Sequence, residues 1–144
     1  ATDTLDGIER LEFSDRKLAF DLSGNAGSTA KILGAVFGSM AVGNAAYVSA
    51  GLSLLDSGLA CSTVMQYALN VKLGAAPSNG SVVDLLYANV VGTAPDAGAH
   101  AYYTAMLDNG TLTQNQLALL AAETQQNQLR IDLAGLAAHG LAYA

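Results

Sequence analysis

The chain has 144 residues, of which 51% are hydrophobic and 12% are charged, whereas about a quarter of the residues in a typical domain are charged. This composition excludes an intrinsically disordered chain, because the apolar residues are sufficient for a buried core. Twelve acidic and six basic residues give a net charge of −6, and the basic residues form no cluster. A surface of this sign repels phosphate groups, so the sequence argues against nucleic-acid binding.

Residues 8–22 alternate apolar and charged side chains with a period of two, which predicts β-strands. The polar quartet at 14–17 predicts a turn between two strands. The apolar positions on one face of this hairpin are Leu11, Phe13, Leu18 and Phe20. Because two strands alone are only marginally stable in water, we predict that this face packs on the rest of the chain.

After the hairpin, apolar residues recur at positions i, i+3, i+4 and i+7, which predicts about seven short helices. Turn signals at 43–44, 76–80 and 94–96 mark boundaries between these helices. Thr113, followed three residues later by Gln116, predicts a capping box at the start of another helix. The fold class is therefore predicted to be mostly α, with an N-terminal β-hairpin.

Residues 32–55 carry no charge and are long enough to span a bilayer. Gly43-Asn44 predicts a turn inside this run, so we favour two packed helices and no stable membrane span. Residues 24–29 are rich in glycine, but Lys31 does not follow a glycine directly as it does in a phosphate-binding loop. We predict that 24–29 is a loop that caps the first helix.

Two parts of the helical region are similar to each other. Leu55-Asp56-Ser57-Gly58 recurs as Leu107-Asp108-Asn109-Gly110, and each tetrapeptide follows an apolar helical pattern. We therefore predict two related helical repeats, which pack their apolar faces on each other. The predicted boundaries are 1–24 for the hairpin segment and 25–144 for the helical domain, with repeats at 29–72 and 82–124 and a helix at the C-terminus.

The pattern across residues 3–15, Asp-Thr-Leu-x-Gly-Ile-Glu-x-Leu-x-Phe-x-Asp, closely resembles the segment that closes the calcium-binding β-roll of RTX, or haemolysin-type, secreted proteins. The helical remainder resembles the domain of unknown function 4214, which often lies downstream of such rolls. The stretch that carries this second resemblance is Gly92-Thr93-Ala94-Pro95-Asp96, then Gly98, Tyr102-Tyr103 and Leu107-Asp108-Asn109-Gly110. Thr93 and Tyr103 stand where that domain usually has Arg and Trp.

The first resemblance implies a secreted or cell-surface protein of a Gram-negative bacterium, with the type I secretion machinery as a partner. That route needs no N-terminal signal peptide, and residues 1–22 are too charged to form one. The chain begins without Met, so we expect it to be the C-terminal part of a longer protein. The hairpin would then continue the sheet of an upstream β-roll and couple calcium-driven folding of the roll to the helices.

No catalytic motif occurs in the sequence, and we expect no enzymatic activity and no cofactor. His100 and His139 have no Cys or carboxylate at a spacing typical of zinc ligands. Cys61, the only cysteine, lies on the apolar stripe of its helix, which predicts a buried thiol. We predict no metal site in this chain: Asp3 and Asp6 resemble the trailing edge of a calcium repeat and are the candidate ligands, but a solvated acidic hairpin is favoured, and calcium is expected in the upstream parent protein.

Asp96, Tyr102 and Tyr103 are the candidate binding residues, since an exposed tyrosine pair can stack on a sugar or a partner protein. The spacing of the pair to Met106 nevertheless favours core packing for both rings.

Three function classes follow from these observations. The first is a non-catalytic C-terminal module that serves type I export, folding or cell-surface assembly. The second is a glycan- or protein-binding module of an adhesin or surface-layer protein, with self-association as a further form of binding. The third is a membrane-active polypeptide, for which the glycine-spaced apolar run is the only indication.

Overall fold

The structure of the chain, a computed structural model, describes residues 10–144. Its strands are β1 (Arg10–Glu12), β2 (Lys17–Ala19) and β3 (Leu141–Tyr143). Its helices are α1 (Asn25–Phe37), α2 (Ala45–Asp56), α3 (Cys61–Leu73), α4 (Asn79–Leu86), α5 (Ala97–Asp108), α6 (Gln114–Ala122), α7 (Gln125–Arg130) and α8 (Leu133–His139). A 3₁₀ turn at Ser39–Gly43 joins α1 to α2, and a π-helical segment at Tyr87–Val91 extends α4. The predicted mostly α fold with an N-terminal hairpin is confirmed, with one helix more than expected and an additional C-terminal strand.

Local capping determines where several helices begin. The side chains of Asn44, Ser78 and Asp96 each accept hydrogen bonds from backbone N–H groups in the first turn of the following helix. Thr113 forms the predicted reciprocal capping box with Gln116 at the start of α6. Each cap satisfies N–H groups that have no partner within the helix, so these polar residues determine the residue at which each helix begins.

The start of α1 differs from the prediction. Residues 24–29 do not form a loop, because α1 begins at Asn25. No side chain of Gly24 is available as a cap, and the carboxylate of Asp21 takes over this role by accepting a hydrogen bond from the N–H of Ala26 at 3.1 Å. The backbone carbonyl of Asp21 also accepts from Gly27 at 3.3 Å. A capping group outside the glycine-rich stretch therefore allows that stretch to be helical.

Two clusters of buried apolar side chains hold the elements together. The larger cluster joins α1 to α3, α4 and α6, and Met65 and Leu69 are completely buried in it. The second cluster joins the sheet to α1, α2 and the end of α7, through side chains that include Ala19, Val48 and Leu141. The sheet is thus part of the core, and it is not a separate appendage.

A set of three helices occurs twice along the chain, with similar glycine and asparagine positions. Helices α1–α2–α3 are followed by α4–α5–α6, and Gly38 and Gly92 end the first helix of each set with φ angles of 95° and 91°. Asn25 at the start of α1 donates to Asp56 at 2.9 Å, and Asn79 at the start of α4 donates to Asp108 at 2.7 Å. The aspartate of each Leu-Asp-x-Gly sequence therefore accepts a hydrogen bond from the asparagine that begins the first helix of its set. The predicted limits of the repeats and domains stay predictions. We refer to α1–α3 as the first repeat and to α4–α6 as the second repeat.

The hairpin lies in a three-stranded antiparallel sheet in which β2 is central, between β1 and β3. Ala19 pairs with Arg10 on one side and with Leu141 on the other, and this row of residues faces the helices. Leu11 pairs with Leu18 in the adjacent row, and Phe13 is 47% exposed. The prediction that Leu11, Phe13, Leu18 and Phe20 form the docking face was therefore wrong.

The opposite face of the hairpin packs on the helices. Ala19 is small enough to fit closely, and the charge of Arg10 is paired with Asp21 and Asp56. The alternation of apolar and charged residues shows that a strand has two faces. It does not show which face packs on the helices when an ion pair compensates the charge on that face. Residues 8 and 9 of the predicted hairpin lie outside the described part of the chain.

Within residues 10–144, none of the helices combines the length and the apolar character that a bilayer crossing requires. The uncharged run at 32–55 is divided between α1, the 3₁₀ turn and α2, as the sequence predicted.

Candidate functional site

The second repeat contains a groove, which we call the tyrosine groove. Its walls are the π-helical segment, α5 and α6, and its volume is about 430 Å³. Most of its lining side chains are aliphatic, and its polar groups come mainly from Tyr87, Tyr102, Tyr103, Thr124 and Gln126. An apolar cleft with a few converging polar groups is typical of ligand-binding sites.

The three tyrosine rings of the groove contact one another. Tyr102 and Tyr103 meet edge to face, with ring centroids 5.1 Å apart and planes at 82°. Tyr87 and Tyr103 are tilted by 57° at 6.0 Å. Tyr103 packs against the core, as predicted, whereas Tyr102 is 62% exposed, so the prediction of core packing was wrong for this residue. The ring of Tyr102 therefore contacts that of Tyr103 and is largely open to solvent.

Asp96 lies at the start of the helix that carries the tyrosine pair. Its carboxylate accepts a hydrogen bond from the N–H of Ala99 at 2.7 Å and thereby caps α5. Desolvation raises the pKa of the Tyr87 hydroxyl, and the neighbouring Tyr103 and the charge of Asp96 raise it further. Like an ordinary tyrosine hydroxyl, that of Tyr87 is protonated at neutral pH and can donate a hydrogen bond. The binding role of Asp96, Tyr102 and Tyr103 stays a prediction.

Hydrogen bonds from two polar side chains hold the π-helical wall of the tyrosine groove in place: Asn89 lies within this wall, and Arg130 lies at the end of α7. Asn89 donates from the π-helical segment to the carbonyl groups of Ala35 at 3.0 Å and Val36 at 2.9 Å. Arg130 donates to the carbonyl groups of Val90 at 2.8 Å and Val91 at 2.9 Å. These bonds satisfy C-terminal carbonyl groups that would otherwise lack partners. Sequence reasoning missed both residues, because their partners lie far away along the chain.

Two features favour a glycine at position 92, where the π-helical wall of the groove ends. Its φ angle of 91° is one that residues with a Cβ atom rarely adopt. In addition, a Cβ atom at this position would overlap the guanidinium group of Arg130. The first residue of the Gly-Thr-Ala-Pro-Asp stretch identified in the sequence is thus favoured as glycine by the backbone and by the position of Arg130.

A second polar arrangement, which we call the Arg10 network, consists of Arg10, Asp21, Asp56 and Asn25. The guanidinium of Arg10 donates to both carboxylate oxygens of Asp21, at 2.6 and 2.8 Å, and to those of Asp56, at 2.7 and 3.1 Å. The bonds from Arg10 lower the pKa of Asp21, and those from Arg10 and Asn25 lower the pKa of Asp56. The network attaches β1 to the start of α1 and the end of α2.

The remaining candidates form no site. His100 lies 3.5 Å from Asp84 at the surface, and His139 lies in the last turn of α8. Cys61 is partly buried, although its pattern predicted full burial. In residues 10–144, no three His, Cys, Asp or Glu side chains come together in a way that could hold a metal ion. Asp3 and Asp6 lie outside the described residues.

A family model described as Domain of unknown function (DUF4214) matches residues 60–131. This region extends from the residue before α3 to the residue after α7 and contains every residue that lines the tyrosine groove. Comparison with the curated proteins and with the solved structures gives no match.

Proposed function

The chain belongs to the DUF4214 family, whose model covers half of it, and we propose that it is a non-catalytic C-terminal module of a secreted RTX-type protein. In this role it serves type I export, folding after export, or assembly at the cell surface. The observation that supports this proposal best is the Arg10 network. It joins the strand nearest the N-terminal segment to two helices, through charge-assisted hydrogen bonds.

The sheet supports the same proposal. Among the described residues, β1 is an edge strand that pairs only with β2. An edge strand offers unpaired N–H and C=O groups to another strand. A roll that precedes this chain in the parent protein would therefore add its last strands to β1. Calcium would be bound by the repeats of that roll, and its effect would reach the helices through the Arg10 network.

Export is tested in a Gram-negative host with and without a type I transporter. The parent protein, and a reporter fused to this chain, should appear in the medium only when the transporter is present. The reporter alone serves as the control. Retention of both proteins in cells that carry a functional transporter would refute the export role.

The folding role has a separate test on the parent protein. Calcium should raise the melting temperature of the helices, followed by circular dichroism at 222 nm. This calcium-dependent increase should be much smaller in Arg10→Met, because the link between roll and helices is then broken. Arg16→Met, in the exposed turn of the hairpin, is the matched control and should respond as the wild type does. Equal increases in all three proteins would contradict the coupling.

A glycan- or protein-binding module is the second candidate function, and the exposed ring of Tyr102 in the tyrosine groove favours it. Aromatic rings with one open face bind the apolar faces of sugars and of partner side chains. Glycan-array binding that is lost in Tyr102→Ala would support this function. Tyr67→Ala is a suitable control, because Tyr67 is 60% exposed but lies in the first repeat. Equal binding by both variants would exclude the tyrosine groove as the glycan site.

A further inference from the structure

The first repeat contains a second groove at the position that corresponds to the tyrosine groove. We call it the first-repeat groove; it lies between α1, α2 and α3 and has a volume of about 220 Å³. When the two repeats are aligned in sequence at Gly38 and Gly92, Thr29 corresponds to Val83. When they are aligned at the two N-caps, Asn44 and Asp96, Ala50 and Gly51 correspond to Tyr102 and Tyr103. Both grooves thus arise from the same three-helix arrangement.

The lining of the first-repeat groove is almost entirely apolar, and none of its residues is charged. Phe37 and Tyr47 form one wall, with ring centroids 5.3 Å apart. Tyr47 and Tyr67 are exposed at the mouth. Ala50 and Gly51 stand where the second repeat has its two tyrosines, so α2 contributes no aromatic side chain to the groove at these two positions. A charged ligand would lose its hydration here without gaining a partner, so the groove suits only an uncharged one.

The floor of this groove contains a hydroxyl group that the fold does not use. Thr29 is 1% exposed, and its Oγ1 atom has no hydrogen-bond partner among the described residues. Val83, which has the same shape without the hydroxyl, fills the corresponding position in the second repeat. Packing of the three helices therefore does not require the hydroxyl, and burying it without a partner is unfavourable.

Thr29 packs directly against Gly51. A Cβ atom built on Gly51 would lie 2.7 Å from Cγ2 and 3.4 Å from Oγ1 of Thr29, so position 51 has no room for a side chain. Threonine in a helix populates two χ1 rotamers. Because Thr29 is one of the residues that line the groove, a rotamer that turns its hydroxyl toward the groove would make this group available to a ligand that brings its own hydrogen-bonding group.

We propose that the first-repeat groove binds a small uncharged phenol or alcohol, whose ring or short alkyl chain fills the apolar space and whose hydroxyl pairs with Thr29 Oγ1. The size agrees with this class of ligand, because an apolar cavity of about 150 Å³ is sufficient for benzene. The groove of about 220 Å³ therefore has room for one substituted ring.

The probes are p-cresol and toluene, which differ by one hydroxyl group, together with benzoate and benzylammonium as charged rings of similar size. Binding to the full chain is followed by NMR chemical shifts of the Thr29 and Gly51 amides. We expect p-cresol to bind more tightly than toluene, and neither charged ring to shift these signals. A lost neutral hydrogen bond weakens binding up to about tenfold.

Two variants separate the hydroxyl from the space. Thr29→Val keeps the shape and should weaken p-cresol by up to about tenfold while leaving toluene unchanged. Ala50→Tyr, at an exposed position, introduces the residue of the second repeat and should abolish binding of both probes. Tyr102→Ala, in the other groove, should leave both affinities unchanged, and thermal melting verifies that every variant is folded. Absence of p-cresol binding, equal losses of p-cresol and toluene in Thr29→Val, or unchanged binding in Ala50→Tyr would each overturn the proposal.

Discussion

Replacing Arg10 by Met should destabilise the chain more than any other change in the charged residues of the hairpin. Methionine retains the length and the apolar contacts of the side chain but leaves the Asp21 carboxylate without its main partner. Asp21 is only 7% exposed and Arg10 is 28% exposed. Breaking a fully buried ion pair costs about 3–5 kcal/mol, and the partial exposure of Arg10 reduces this to about 2–3 kcal/mol.

Urea denaturation followed by circular dichroism measures this loss as a lower midpoint at an unchanged slope. Asp56→Asn should cost about 1 kcal/mol or less, since Asp56 is 43% exposed and solvent screens its charge. Arg16→Met, in the turn, should lie within about 0.5 kcal/mol of the wild type. If Arg10→Met also lies within that range, the Arg10 network is a surface feature with no role in stability.

The same network makes stability depend on acid. Arg10 lowers the pKa of Asp21 and of Asp56 in the folded chain below the ordinary value of 3.8. The stabilisation is therefore fully present above the ordinary pKa of an aspartate, from about pH 5 upward, and is lost as the pH falls through the lowered pKa values. Arg10→Met should remove this acid-dependent part, so that its stability and that of the wild type converge as the two carboxylates become protonated. Parallel curves over this range would refute the assignment.

Three further predictions concern the core and the backbone. Leu107→Ala should lower the free energy of unfolding by about 2–5 kcal/mol, because Leu107 is 8% exposed in the core. His100→Ala at the surface should cost less than about 1 kcal/mol. A urea titration in which His100→Ala is the more destabilising of the two would contradict this prediction. Gly92→Ala should be more harmful than Gly58→Ala, since both have a positive φ angle but only a Cβ at position 92 overlaps a guanidinium group; equal melting temperatures would contradict the overlap. Deleting residues 1–22 should strongly reduce the melting temperature, because Ala19 and Leu22 leave the core, and an unchanged melt would mean that the hairpin is a detached tether.

Features that depend on a few neighbouring residues could be read from the sequence. The capping box at Thr113, the boundary at Asn44 and the helix start at Asp96 all depend on side chains within three residues of their partners. The similarity of the two Leu-Asp-x-Gly turns could also be read from the sequence, but their hydrogen bonds from Asn25 and Asn79, which are 31 and 29 residues away, could not.

Features that depend on distant partners could not be predicted. The docking face of the hairpin is determined by Arg10, whose partner Asp56 is 46 residues away. The strand β3 has only three residues and no alternation long enough to distinguish it from a fraying helix end. Likewise, the exposure of the Tyr102 ring depends on how α5 packs against its neighbours, and the spacing of apolar residues along one helix contains no information on that packing.

The pairing of β2 with β3 also has a kinetic consequence. Ala19 pairs with Leu141, so this contact closes a loop that contains all eight helices of the described chain. Closing so long a loop carries an entropic cost that contacts between neighbouring helices do not carry. The sheet should therefore form after the transition state for folding, once α1 and α2 provide a surface for it. Leu141→Ala would then accelerate unfolding and leave the folding rate nearly unchanged, so the sheet determines how long the folded chain lasts and contributes little to how fast it forms.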